Sequence, residues 1–206
     1  MRPGIASDCL HNITYLPSAC ARVSSRRLRS FSLLSAPNAP RAVTARHDGI
    51  VQLLAAIFRR AGALVNIEVK CDDENRVRPD LEIILSDRSI LADVAVVHPA
   101  APSRKRLTPL SATRDIENAK ATKYLSIASE RGARFLAFIP ESYGAFGKQA
   151  MDLLKLLDNT LDHAPARPSE LSIRAVIEAI AVTLQRGNAF ISHSGSLMAR
   201  AQAAAS

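Results

Sequence analysis

One stretch constrains this chain more than any other: Ile90-Leu-Ala-Asp-Val-Ala-Val-Val97, an eight-residue β-branched and apolar run broken only by Asp93. A strand apolar on both faces needs cover on both faces, so it belongs inside a sheet with helices packed on it. The carboxylate in its middle is costly to bury unless something pairs with it. A fold that places this strand must therefore also supply a cation or a set of donors for Asp93.

The flanking text gives the other layers. Ile50, Val51, Leu53, Leu54, Ile57 and Phe58 recur at helical spacing ahead of Gly62, which predicts a helix over 47–61. Ala63–Lys70 and Leu81–Leu85 are short and β-branched, so both read as strands, with a polar loop over 71–78 between them. Ser86-Asp-Arg-Ser89 is a tight polar connection, so the strands on either side of it form a hairpin. A basic, proline-rich loop over 98–109 leads to a helix over 111–131, and Arg134–Ile139 is a fourth strand stopped by Pro140. Two helices follow, over 148–161 and 169–186, the second capped by Ser169 and ended by Gly187. The order is α/β: αβββαβ and then C-terminal helices, which gives a mixed sheet with helices on its faces.

The organisation reads as three parts: a basic tail over 1–45, a domain over 46–190, and a frayed polar, Ala-rich end over 191–206. The tail holds six arginines, four prolines and one acid, Asp8. It reads as a disordered extension or degraded upstream segment, or as a transit peptide. With 206 residues, 48% of them hydrophobic and 22% charged, the chain can bury a core without staples. Aromatics are only 4%, with no Trp, so that core rests on Leu, Ile, Val and Ala. Cys9, Cys20 and Cys71 make neither a disulfide framework nor paired zinc spacing, which points to a reducing, intracellular setting. No apolar stretch approaches the roughly 20 residues that span a bilayer, so no membrane partner is expected. A net charge of +8 makes a polyanion a plausible partner.

The acids fall at ordered positions. Asp80 opens the second strand and shares a face with Glu82, Asp93 lies in the third, and Glu68 late in the first. A hairpin about 86–89 sets residues 82 and 93 opposite each other, with Asp80 diagonal to Asp93 and within reach of a shared ligand. Carboxylates this close repel unless a cation neutralises them, and Mg²⁺ (or Mn²⁺), held by one or two carboxylates plus substrate phosphate, is the natural one. The next helix supplies cations. Glu117, Lys120 and Tyr124 share a face, and Lys123 lies about 60° further round. Lys120 or Lys123 could hold a phosphate, and Tyr124 could donate to it. Each of these residues alone also has an ordinary explanation: a turn at Asp80, a surface pair at Glu117 and Lys120, an edge gatekeeper at Asp93.

Arg78-Pro79-Asp80, then Asp93 thirteen residues on, then Lys120-Ala-Thr-Lys123-Tyr124 on the following helix, resembles the PD-(D/E)xK nuclease superfamily. The closer resemblance is to the restriction-enzyme-like endonuclease domain at the C-terminal end of some non-LTR retrotransposon, reverse transcriptase-associated, polyproteins. Arg46-His47-Asp48 is similar to the segment before that domain, and Pro140-Glu-Ser-Tyr-Gly144 to the loop after its last core strand. The resemblance covers roughly 45–160. It implies Asp80 and Asp93 as metal ligands, Lys120 or Lys123 as the catalytic lysine, and Glu68 or Glu117 as an accessory acid. It implies a Mg²⁺-dependent endonuclease acting on DNA, with a homodimer allowed and no small-molecule cofactor. The usual superfamily lysine position, two residues after the second acid, is Ala95; the retrotransposon variant moves that lysine to the helix. Cys9, His11 and Cys20 lack the spacing of the Cys/His knuckle that often precedes this nuclease, so the chain also reads as a truncated remnant.

Arg104-Lys105-Arg106 could add contacts to a phosphate backbone, or be a solvated charge run. His98-Pro99 reads as structural, and His47 as a capping or surface residue. Phosphate-loop, Gly-x-Ser-x-Gly and Cys–His nucleophile patterns are missing, which disfavours those hydrolase classes. Three functions stay open: an active endonuclease, a catalytically dead nuclease fold that binds DNA or a protein, and an unrelated α/β domain whose tail directs it to an organelle. A DNA substrate favours the nucleus over an organelle.

Overall fold

The computed structural model describes residues 39–71, 78–101, 108, 110–163 and 171–205. Its elements, in chain order, are α1 (Ala39–Arg60), β1 (Leu64–Ile67), β2 (Leu81–Ile84), β3 (Ser89–Val94), α2 (Ser111–Glu130), β4 (Ala133–Phe138), α3 (Lys148–His163) and α4 (Ile173–Ala205). The four strands form one mixed sheet in sequence order. β1, β2 and β3 are antiparallel, and β4 returns parallel to β3 after the α2 crossover. Among the described residues no helix is long and apolar enough to cross a membrane.

Alternation along β3 divides the molecule into layers. Ile90, Ala92 and Val94 face the main core, where they meet Leu81, Ile83, Leu136 and Phe138 of the sheet, Ile50, Leu54 and Phe58 of α1, Leu153 and Leu157 of α3, and Ile180 of α4. A second, smaller cluster of Ala95, Val97, Ala137, Ile139, Ala112, Ile116 and Phe135 lies beneath α2. Asp93 is in phase with Ala95, so it faces α2. β3 is buried along nearly its whole length, as its apolar run requires.

α1 begins at Ala39, ahead of the expected start, and ends at the expected glycine. Gly62 has φ 91°, a left-handed conformation that a Cβ would penalise. Its N–H donates to the Arg59 carbonyl and the Ala63 N–H to the Phe58 carbonyl, both at 3.0 Å, which closes the helix in a Schellman motif.

The end of the last helix also moves. It does not stop at Gly187; α4 runs on to Ala205. Gly187 serves a different purpose there. A Cβ on it would lie 2.3 Å from Arg46 Cγ, so the missing side chain is what lets α1 and α4 pack closely. The helix is capped by Ser172, whose Oγ accepts the Ala175 N–H at 3.2 Å; Ser169, the expected cap, lies outside the described residues.

The hairpin register also moves. The Leu85 N–H donates to the Arg88 carbonyl at 2.9 Å, so the connection is only Ser86-Asp87. The pairs are then Leu81 with Ala92, Glu82 with Leu91, Ile83 with Ile90 and Ile84 with Ser89. Glu82 is therefore not opposite Asp93.

Candidate active site

With that register continued one residue, Asp80 stands opposite Asp93. The β1–β2 register, continued the same way, brings Glu68 opposite Asp80, and the Glu68 N–H donates to the Asp80 carbonyl at 2.9 Å. By position the three acids form one row, Glu68 just past the end of β1, Asp80 just before β2 and Asp93 within β3. Glu68 takes φ 53°, which bends the chain out of β1, and its side chain is exposed. Glu82, displaced from the row, accepts from Asn66 Nδ2 at 2.9 Å and lies 3.5 Å from Arg131 Nη1.

Asp93 is 5% exposed, and α2 supplies what a carboxylate there requires. Lys120 Nζ donates to Asp93 Oδ2. One turn further along α2, the Tyr124 hydroxyl donates to Asp93 Oδ1 at 2.5 Å and lies 3.0 Å from the Arg78 carbonyl oxygen. The Tyr124 ring stacks on Phe135 of β4, centroids 4.8 Å apart, which fixes the hydroxyl's direction. Burial first, then the hydrogen bond to Asp93, push the Tyr124 hydroxyl well above its ordinary range, so it stays a proton donor to the carboxylate. Lys123 lies at the edge of the group. Its Nζ is 4.8 Å from the Tyr124 centroid and donates to the hydroxyl at 3.4 Å, with its side chain exposed.

Asp80 is held from another direction. Its Oδ2 accepts the Val94 N–H at 2.6 Å and lies 3.1 Å from His47 Nε2 of α1. The other ring nitrogen of His47 is 3.0 Å from Asp48 Oδ1. Hydrogen bonding to Asp80, partly offset by burial, raises the His47 pKa to about 9, so the imidazolium donates from both nitrogens at neutral pH. His47 is the site residue that sequence reasoning passed over as a cap or surface group. Its signal was the Arg46-His47-Asp48 triplet. Nothing local in α1 shows that its helical face meets the mouth of β2.

Glu117 shares a helix with Lys120 and Tyr124 but not their contacts. Its Oε1 accepts the Gln149 N–H at 2.9 Å, capping the start of α3. Gly147 leaves the room for it; a Cβ there would meet Glu117 Oε1 at 2.2 Å. Burial is the largest influence on this carboxyl and raises its pKa, against the hydrogen bond from Gln149. Glu117 is thus a helix cap rather than a companion of Lys120. Arg104, Lys105 and Arg106, the expected backbone contacts, lie outside the described residues.

Asp80 and Asp93 offer hard oxygen donors in one row on adjacent strands, a donor set that fits a divalent cation sharing its remaining positions with phosphate and water. Among the described residues no three His, Cys, Asp or Glu side chains form a ready metal cluster. A search of protein-family models finds no match for the chain, and a search of curated proteins finds none either.

Proposed function

We propose that this chain is a restriction-endonuclease-like domain that cuts DNA with a divalent metal, of the kind associated with non-LTR retrotransposons. The observation that carries the reading is the acid row at Asp80 and Asp93, met by Lys120 and Tyr124 of the helix that follows β3. The αβββαβ order, with three antiparallel strands and a parallel fourth, supports it. Asp80 and Asp93 would hold Mg²⁺ or Mn²⁺, which neutralises developing charge on a phosphodiester under attack. Lys120 balances the Asp93 charge. Tyr124 fixes the direction of that carboxylate. Lys123, exposed beside it, would meet a phosphate oxygen. Water adds to phosphorus and one P–O ester bond breaks; the water's proton leaves to solvent and the released oxygen takes one up. Glu68 is the accessory acid of the row. Two copies cutting opposite strands would make a double-strand break, and a DNA substrate implies work in the nucleus.

A second reading has its own support. Each carboxylate already carries a cationic partner, Lys120 on Asp93 and His47 on Asp80. Such neutralised acids suit a nuclease fold kept for DNA binding alone. Incubation with supercoiled plasmid in Mg²⁺, Mn²⁺ or EDTA separates the two. Metal-dependent nicking lost in both Asp80→Ala and Asp93→Ala supports the nuclease; DNA binding with no nicking under any condition supports the binding module.

A further inference from the structure

Away from the acid row, α1, the segment after β4 and α4 enclose a cleft of about 260 Å³. Arg46, His98, Ser142, Tyr143, Gln185 and Asn188 line it. Arg46 is an unusual wall residue. Its Nη1 donates to Asn188 Oδ1 at 2.8 Å, but its Nε is buried with no hydrogen-bond partner. No carboxylate among the described residues pairs with this guanidinium, and burial lowers its pKa with nothing to offset the loss. A half-buried guanidinium with no carboxylate partner gains from an anion that completes it.

The other walls are neutral donors and an aromatic face. His98 Nδ1 lies 2.6 Å from Ser142 Oγ. Burial, and then the charge of Arg46, lower the His98 pKa, which favours the neutral ring. Asn188 Nδ2 donates to the Ser142 carbonyl at 2.8 Å, which fixes the amide beside Arg46. Tyr143 is 68% exposed and stands edge-on to His98, centroids 5.2 Å apart, its ring open to solvent at the cleft.

We infer that this cleft binds one nucleotide unit of a nucleic-acid strand, with a phosphate on the Arg46 guanidinium and the adjoining base stacked on Tyr143. A guanidinium with free donors matches phosphate oxygens. An exposed aromatic ring is a stacking platform that tolerates any base. Arg46 and His47 are neighbours on α1, so one helix supplies a residue to this cleft and a residue to the acid row. Its existence does not depend on cleavage.

The test is fluorescence anisotropy of the full chain in EDTA, where cutting is silent. The probes are a labelled single-stranded oligonucleotide and its abasic counterpart, with inorganic phosphate as competitor. Arg46→Met is expected to weaken both oligonucleotides about tenfold and to abolish competition by phosphate. Tyr143→Ala, at an exposed position, is expected to weaken the normal oligonucleotide about fivefold or more and to leave the abasic one unchanged. Circular dichroism checks folding, and the Tyr143→Ala comparison stands even if Arg46→Met unfolds. Loss with Arg46→Met but none with Tyr143→Ala overturns the strand site in favour of a simple anion site. Unchanged affinity in both variants overturns it outright.

Discussion

The Tyr124 hydroxyl and the Asp93 carboxylate meet at 2.5 Å across the face of the sheet, with Lys120 on the carboxylate's other oxygen. A centre-strand aspartate is thereby satisfied on both oxygens by one helix. Lys120 and Tyr124 are four residues apart, the spacing that stacks two side chains one above the other on a helix. Removing one partner leaves a buried charge half-compensated. Lys120→Met should therefore destabilise the fold by about 2–3 kcal/mol. Asp93→Leu combined with Lys120→Met should recover part of that loss, because no charge is left unpaired. Urea unfolding of the single and double variants measures both; a double variant less stable than Lys120→Met contradicts the pairing.

Tyr124→Phe isolates the hydroxyl. The ring remains stacked on Phe135, so packing is kept while Asp93 Oδ1 loses its donor. A cost of about 1–2 kcal/mol is expected in urea unfolding. A change of only a few tenths would mean that water replaces the hydroxyl at no cost.

His47 gives the fold a pH dependence whose sign is fixed. Its folded pKa, about 9, lies above the ordinary histidine value of 6.5. The imidazolium–Asp80 pair therefore contributes fully below about pH 6.5, and that contribution is lost as pH rises through about 9. Wild-type stability should fall over this window by roughly 1 kcal/mol, allowing for solvent screening of a partly exposed ring. His47→Gln should flatten that part of the curve. An equal slope in His47→Gln would assign the dependence to another group.

The element order and the acid inside β3 were legible because both rest on strong local signals: an apolar run interrupted by one carboxylate, and helical periodicity on each side of it. Partners set by packing were not. Leu85 can pair with Arg88 or Ser86 with Ser89, and only the closed turn decides which acid faces Asp93. His47 reaches Asp80 because of how α1 lies under the sheet, which no window of α1 reveals. Gly187 reads locally as a stop, yet it is a contact with Arg46 across two helices.

That contact is itself testable. Gly→Ala inside an exposed helix normally stabilises by up to about 1 kcal/mol. At position 187 the new Cβ would press on Arg46 Cγ and Cβ, atoms too near the backbone to swing aside. Gly187→Ala should instead cost about 1–3 kcal/mol and lower the Tm. A raised Tm would show that α1 and α4 are not packed this closely.

Glu117 separates a cap from a catalytic acid. Glu117→Gln keeps an oxygen for the Gln149 N–H and should leave both stability and nicking close to wild type. Glu117→Ala should cost about 1–2 kcal/mol through the uncapped start of α3. Nicking abolished in a fully folded Glu117→Gln would return this residue to the chemistry.

The central claim is that Asp93 serves metal-dependent DNA cleavage. The most direct measurement compares wild type and Asp93→Asn in the same Mg²⁺ buffer, reading plasmid nicking rate and DNA affinity side by side. Asparagine keeps the shape and an acceptor for Tyr124 while removing the charge. The account predicts nicking reduced to background with DNA affinity within about twofold of wild type, a difference of under half a kcal/mol. Undiminished nicking by a folded Asp93→Asn protein would contradict it.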